Sequence, residues 1–174
     1  RCCVHLVMAI MKKKQNIGII GLGNPLRHDD GIGLALLDFI QRHKKEFEGE
    51  ITLVDGGAGG MNLLHQLARF NVVLLIDAVD FKGKPGDTRL FTTEQIQSEK
   101  TPITLSTHDS DFLNVISLSR ELHELPKTLV LFGIQPYDLS YGAGLSDLLA
   151  SALNSMGLKL KKEIQHLIEQ SGTL

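Results

Sequence analysis

Apolar positions along the chain fall into short continuous runs that alternate with stretches at helical spacing. Ile17 to Leu22 (IGIIGL) has the length and β-branched content of a buried strand. It breaks at Gly21, Gly23, Asn24 and Pro25, after which Ile32, Leu36, Phe39 and Ile40 repeat as one face of a helix. Ile51 to Val54 is a second strand, followed by the glycine-rich Asp55 to Gly60 and a helix face of Met61, Leu64, His65 and Ala68. Val72 to Ile76 is the most uniformly apolar run, as expected of a central parallel strand covered on both faces, and Asp77 ends it. Lys82 to Asp87 reads as a turn, Thr88 to Thr92 as a short antiparallel edge strand, and Thr93 to Pro102 is undecided. A helix capped by Ser106 or Thr107 runs to about Leu122, with Phe112, Val115, Ile116 and Leu122 inward. Leu129 to Ile134 is another buried strand, Gln135 to Gly144 a loop, and Ser146 the cap of a final helix. The apolar stripe of that helix runs from Leu148 to Ile168, and Gly157 predicts a break in it.

This alternation predicts an α/β domain, a three-layer α/β/α sandwich on a mostly parallel twisted sheet. In such a sheet the strands end along one edge, where ligands bind, so residues far apart in sequence converge there.

With 174 residues, 43% of them apolar, the chain is long enough for one sizeable core. A net charge of −2 argues against a nucleic-acid surface or a polybasic membrane patch, and leaves small molecules or another protein as partners. The two cysteines, Cys2 and Cys3, are adjacent and offer no disulfide framework, which points to a reducing cytoplasm. Val4 to Ile10 is apolar but too short to span a bilayer. Met11 followed by three lysines resembles a natural start, so residues 1–10 read as a disordered extension and residues 11–174 as a single domain.

The chemically active side chains gather where strands end or helices begin. They are Asp29 and Asp30 after the first strand, Asp55 after the second, Asp77 after the third, and His108 at a helix start. Two carboxylates and one imidazole suit a divalent metal of intermediate softness, such as nickel or zinc, with positions left open for substrate. Each residue also has a plainer role. Asp30 can cap the first helix, Asp55 can fix its turn, and Asp109 rather than His108 can be the cap of its helix. Arg27 and His28 read as exposed loop residues. A dinucleotide fingerprint would need a third glycine near position 26, where Leu26 stands. Peptidyl-tRNA hydrolases share a similar GLGNP opening, but here Arg27-His28 is followed by Asp29-Asp30-Gly31, and the basic surface favoured by tRNA is missing.

Together, GLGNPLRHDDGIG (21–33), VDGGAGG (54–60), LLIDAVD (74–80), STHD (106–109) and FGIQPYDLSYGAGLS (132–146) resemble the hydrogenase maturation protease family, in its order, from about Asn16 to Leu160. These endopeptidases process the large subunit of [NiFe]-hydrogenases, on a phosphorylase/hydrolase-like fold. The resemblance assigns metal contact to Asp30, Asp77 and His108, and links the segment beginning at Asp55 to substrate recognition and cleavage. Ala58 stands where members commonly carry threonine. Asp109-Ser110-Asp111-Phe112 replaces a frequent Asp-Leu-Gly-Leu. The resemblance implies that nickel arrives in the precursor, is not tightly held by the free enzyme, and marks the protein for removal of a C-terminal extension. A peptidyl-tRNA-hydrolase-like esterase and a non-catalytic nickel-sensing chaperone of the same precursor are the alternatives.

Overall fold

The computed structural model describes residues 16–96, 104–105 and 109–172, so the expectations for residues 1–10 and for His108 lie outside the described residues. The described residues form six strands: β1 (Ile17–Gly21), β2 (Ile51–Asp55), β3 (Val72–Asp80), β4 (Thr88–Thr92), β5 (Thr104–Leu105) and β6 (Thr128–Ile134). Five helices accompany them: α1 (Ile32–His43), α2 (Met61–Leu67), α3 (Thr93–Ile96), α4 (Asp109–Glu121) and α5 (Asp147–Gly172). Among the described residues, no helix is long and apolar enough to cross a membrane.

The sheet order is β2-β1-β3-β6-β4, and β5 pairs with the far end of β3. The first four strands are parallel, whereas β4 runs antiparallel along β6 at the edge, as its turn and short length predict. Strand alternation divides the core in two. Val72, Leu74, Ile76 and Ala78 face a layer built from α1 and α5. Val73, Leu75 and Val79 face α2 and α4. The three-layer expectation is therefore met.

Four local expectations are corrected. β3 does not end at Asp77 but continues to Asp80, because β6 pairs with it as far as Ala78 and β5 pairs with Val79 and Asp80. α5 is unbroken through Gly157, where the Phe39 ring of α1 occupies the space a side chain would need. Leu122 is half exposed because α4 has already ended at Glu121, and Leu148, in the first turn of α5, is 42% exposed. Ser146 does act as a cap, its Oγ accepting from the Leu149 amide at 3.3 Å.

Candidate active site

The loops that follow β1, β2 and β6 all emerge at the carboxyl edge. The first begins with Leu22, whose amide donates to the Ile76 carbonyl of β3 at 2.8 Å. It ends in a 3-10 turn, His28–Gly31, that leads directly into α1. Backbones crowd here. A Cβ on Gly33 would overlap the carbonyl oxygens of Leu22 and Ile76, and one on Gly23, at φ 131°, would overlap the Asp30 carbonyl. Only glycine permits this approach. It sets the start of α1 on the backbone of Ile76, the residue before Asp77.

Asp29 and Asp30 are both fully buried, and their surroundings differ. Asp29 turns to the 135–146 loop. Its Oδ2 accepts from the amides of Tyr137 and Asp138, each at 2.9 Å, and from Ser146 Oγ at 3.0 Å. Its Oδ1 accepts from the Ser146 amide at 2.8 Å. Four donors neutralise the cost of burying that carboxylate. Asp30 has far fewer. Its Oδ2 accepts from the Asn24 amide at 3.0 Å, and its buried Oδ1 has no hydrogen-bond partner among the described residues. The capping role proves wrong, because no side chain caps α1, whose N-cap residue is Gly31. A buried carboxylate oxygen without a donor is costly, and such groups mark places where a ligand completes the shell.

Asp77 is buried inside β3, with Oδ1 accepting from the Ala78 amide at 2.8 Å. By alternation it lies on the face of α2 and α4. The chain on both sides of residues 106–108 reaches that same region, through β5 on Val79 and Asp80 and through α4 in the core below. Among the described residues no group of three His, Cys, Asp or Glu side chains is placed to hold a metal ion. Among the described residues, Asp30 and Asp77 are the two buried carboxylates at this edge left once Asp29 is assigned to the loop.

Asp55 is exposed, and its Oδ1 accepts from the Gly57 amide at 2.8 Å, which fixes the turn. The turn holds Gly57, Gly59 and Gly60 at positive φ with open space around each. Arg27 and His28 are not the exposed loop residues expected. Both are half-buried and bind the 135–146 loop: the Arg27 guanidinium donates to the Leu139 carbonyl at 3.1 and 3.3 Å, and His28 Nδ1 donates to that of Gly144 at 3.0 Å. The inward turn of Asp29 was not visible in sequence, since its partners lie 108 to 117 positions away. Gln135 was also missed. This buried amide accepts from the Phe81 and Gly83 amides and donates to Asp80, tying the end of β3 to the turn after it.

The family model for the hydrogenase maturation proteases matches residues 37–169. The chain belongs to the hydrogenase maturation protease family. It is 30% identical over 135 residues to the hydrogenase expression/formation protein HoxM of Cupriavidus necator, covering 77% of this chain and 66% of that one. The corresponding figures for HupD of Thiocapsa roseopersicina are 30%, 78% and 61%, so the chain spans just under two thirds of either relative. It is also 30% identical to the Hydrogenase 2 maturation protease of Escherichia coli, covering 74% of this chain and 77% of that one. Its fold is that of the E. coli hydrogenase maturating endopeptidase HybD, with a TM-score of 0.70 at 24% identity, covering 87% of this chain and 93% of that structure. Family membership agrees with the resemblance drawn from the five motifs.

Proposed function

We propose that the chain is an endopeptidase that removes a C-terminal extension from the precursor of a [NiFe]-hydrogenase large subunit. The observation that carries this is the buried Asp30 Oδ1, which lacks a donor among the described residues, at the same sheet edge as a second buried carboxylate, Asp77. A carboxylate pair with an imidazole is a donor set for a divalent ion of intermediate softness. Nickel already seated in the precursor is then part of the substrate. Asp30, Asp77 and His108 reach it and hold the adjacent C-terminal segment against the edge of the sheet. Hydrolysis adds water across the scissile amide, leaving a new carboxylate on the large subunit and a free amine on the released peptide. In this reading one of these carboxylates accepts the proton of that water. The segment, in the same reading, runs over the exposed Asp55 and the open glycine turn after it. Family membership favours this reading over the esterase.

Mass spectrometry of a nickel-loaded precursor incubated with the protein, beside a nickel-free one, tests the proposal. Loss of a C-terminal peptide from the loaded form alone is expected, and Asp30→Asn should abolish it. Binding without cleavage of any precursor would instead make the chain a chaperone. Cleavage independent of nickel would remove the metal from recognition, and full cleavage by Asp30→Asn would remove Asp30 from it.

A further inference from the structure

Among the described residues the three most exposed large apolar side chains all sit on loops at the carboxyl edge: Tyr141 (86%), Tyr137 (67%) and Leu26 (65%). They lie on two loops that are locked together. The His28 amide donates to the Gly142 carbonyl at 3.0 Å, and the Gly142 amide donates to that of Leu26 at 2.9 Å. Asp29 holds the amide of Tyr137, and the Arg27 guanidinium, fixed on Leu139, stands 5.6 Å from the centre of the Tyr141 ring. His28 takes a φ of 36°, rare for a side chain of its size, to make this junction. A buried carboxylate, a guanidinium and a strained histidine are thus spent on presenting two tyrosines and a leucine to solvent.

Exposed tyrosines beside an arginine are the composition of protein-binding hot spots, and preorganisation lowers the entropic cost of using them. We propose that Leu26, Tyr137 and Tyr141 form a docking rim that grips the folded body of the protein substrate next to the tail that enters the site. The occupant follows from position. The 3-10 turn that anchors the rim through Asp29 also carries Asp30, so a protein whose bond is delivered to Asp30 must lie against the rim. Side chains this exposed project from the surface and enclose nothing, which suits another protein's surface and not a small ligand. The inference rests on the protease reading above.

The test compares the chain with its Tyr137→Ser/Tyr141→Ser double variant and with Leu26→Ser. KM and kcat are read by mass spectrometry on nickel-loaded precursor, and Kd by titration of uncut precursor into the same variants on an Asp30→Asn background. The double variant should raise KM and Kd at least about tenfold, lower kcat no more than about twofold, and melt with the parent chain. Tyr141→Phe, which keeps the ring, should restore affinity to within about twofold. Unchanged KM and Kd with normal cleavage would overturn the rim and leave the protease standing. A fall in kcat at constant KM would also overturn it, by moving the tyrosines into the chemistry. Rim-dependent binding of a precursor that wild type never cuts would keep the rim and remove the protease.

Discussion

An asparagine at position 29 has no comfortable orientation. Oδ2 of Asp29 meets three donors and Oδ1 a fourth, so whichever way the amide is turned, its NH2 faces an N–H or O–H. Asp29→Asn should therefore lower unfolding free energy by about 2–4 kcal/mol, read as a shift in urea midpoint at constant m-value. Asp30→Asn should do nearly the reverse. Its amide oxygen still accepts from Asn24, the other atom has no partner to lose among the described residues, and stability should stay within about 1 kcal/mol while cleavage disappears. Two adjacent aspartates would separate cleanly into one that holds the loop and one that serves the chemistry. Nothing in the pair Asp29-Asp30 reveals which is which, because the deciding donors sit beyond residue 136.

At the level of elements, glycine gives the sharpest tests. In an exposed helix Gly→Ala gains about 1 kcal/mol from propensity. At Gly157 a Cβ would stand 2.5 Å from Phe39 Cδ1, and that ring is buried and stacked on His43 at 4.3 Å. Overpacking costs about 1–3 kcal/mol, so Gly157→Ala should be destabilising by about 1 kcal/mol net, a lowered melting temperature being the measurement. Gly33→Ala should cost more, since its Cβ meets two backbone carbonyls that cannot rotate away. The same elements show what was legible in the chain. Strands β1, β2 and β6 and helix α1 stand out as apolar runs or faces because their burial follows local periodicity, whereas the face expected of α2 is corrected: Met61, His65 and Ala68 are exposed, and Leu63, Leu64 and Leu67 are the buried side. The last residues of β3 did not stand out. Asp77 and Asp80 look like loop residues, and only pairing with β6 and β5 keeps them in the sheet. The continuity of α5 was hidden for a similar reason, as Gly157 answers to a ring on α1 and not to its own helix.

At the scale of the molecule, four carboxylates among the described residues titrate below their ordinary range, and none of the four is buried. A hydrogen bond from Lys82 holds Asp80 down, with Gln135 adding to it. The Ser140 amide does so for Asp138, Lys161 for Glu46, and Thr92 for Glu94. A folded pKa below the unfolded one contributes stability that is fully present above the unfolded value and is lost as pH falls through the folded value. Melting temperature should thus decline below about pH 4. Amide exchange should rise first at residues 80–87 and 137–142, ahead of β1 and β3. Asp80→Asn should flatten the acid limb for the 80–87 turn alone. A molecule that lost protection uniformly would show that these loops are not separate units.

The bonds from Asp29 to Ser146 span 117 positions of chain. During synthesis the first strand, its loop and Asp30 leave the ribosome long before residue 146 exists, and until then Asp29 lacks the donors it needs in order to be buried. The edge that carries Asp30 is therefore completed only once residues 137–146 have been made, so a nascent chain stopped before them holds Asp30 in an unfinished frame. Under the proposed function, a protein that inspects whether another has been fully assembled would itself have to be completed first.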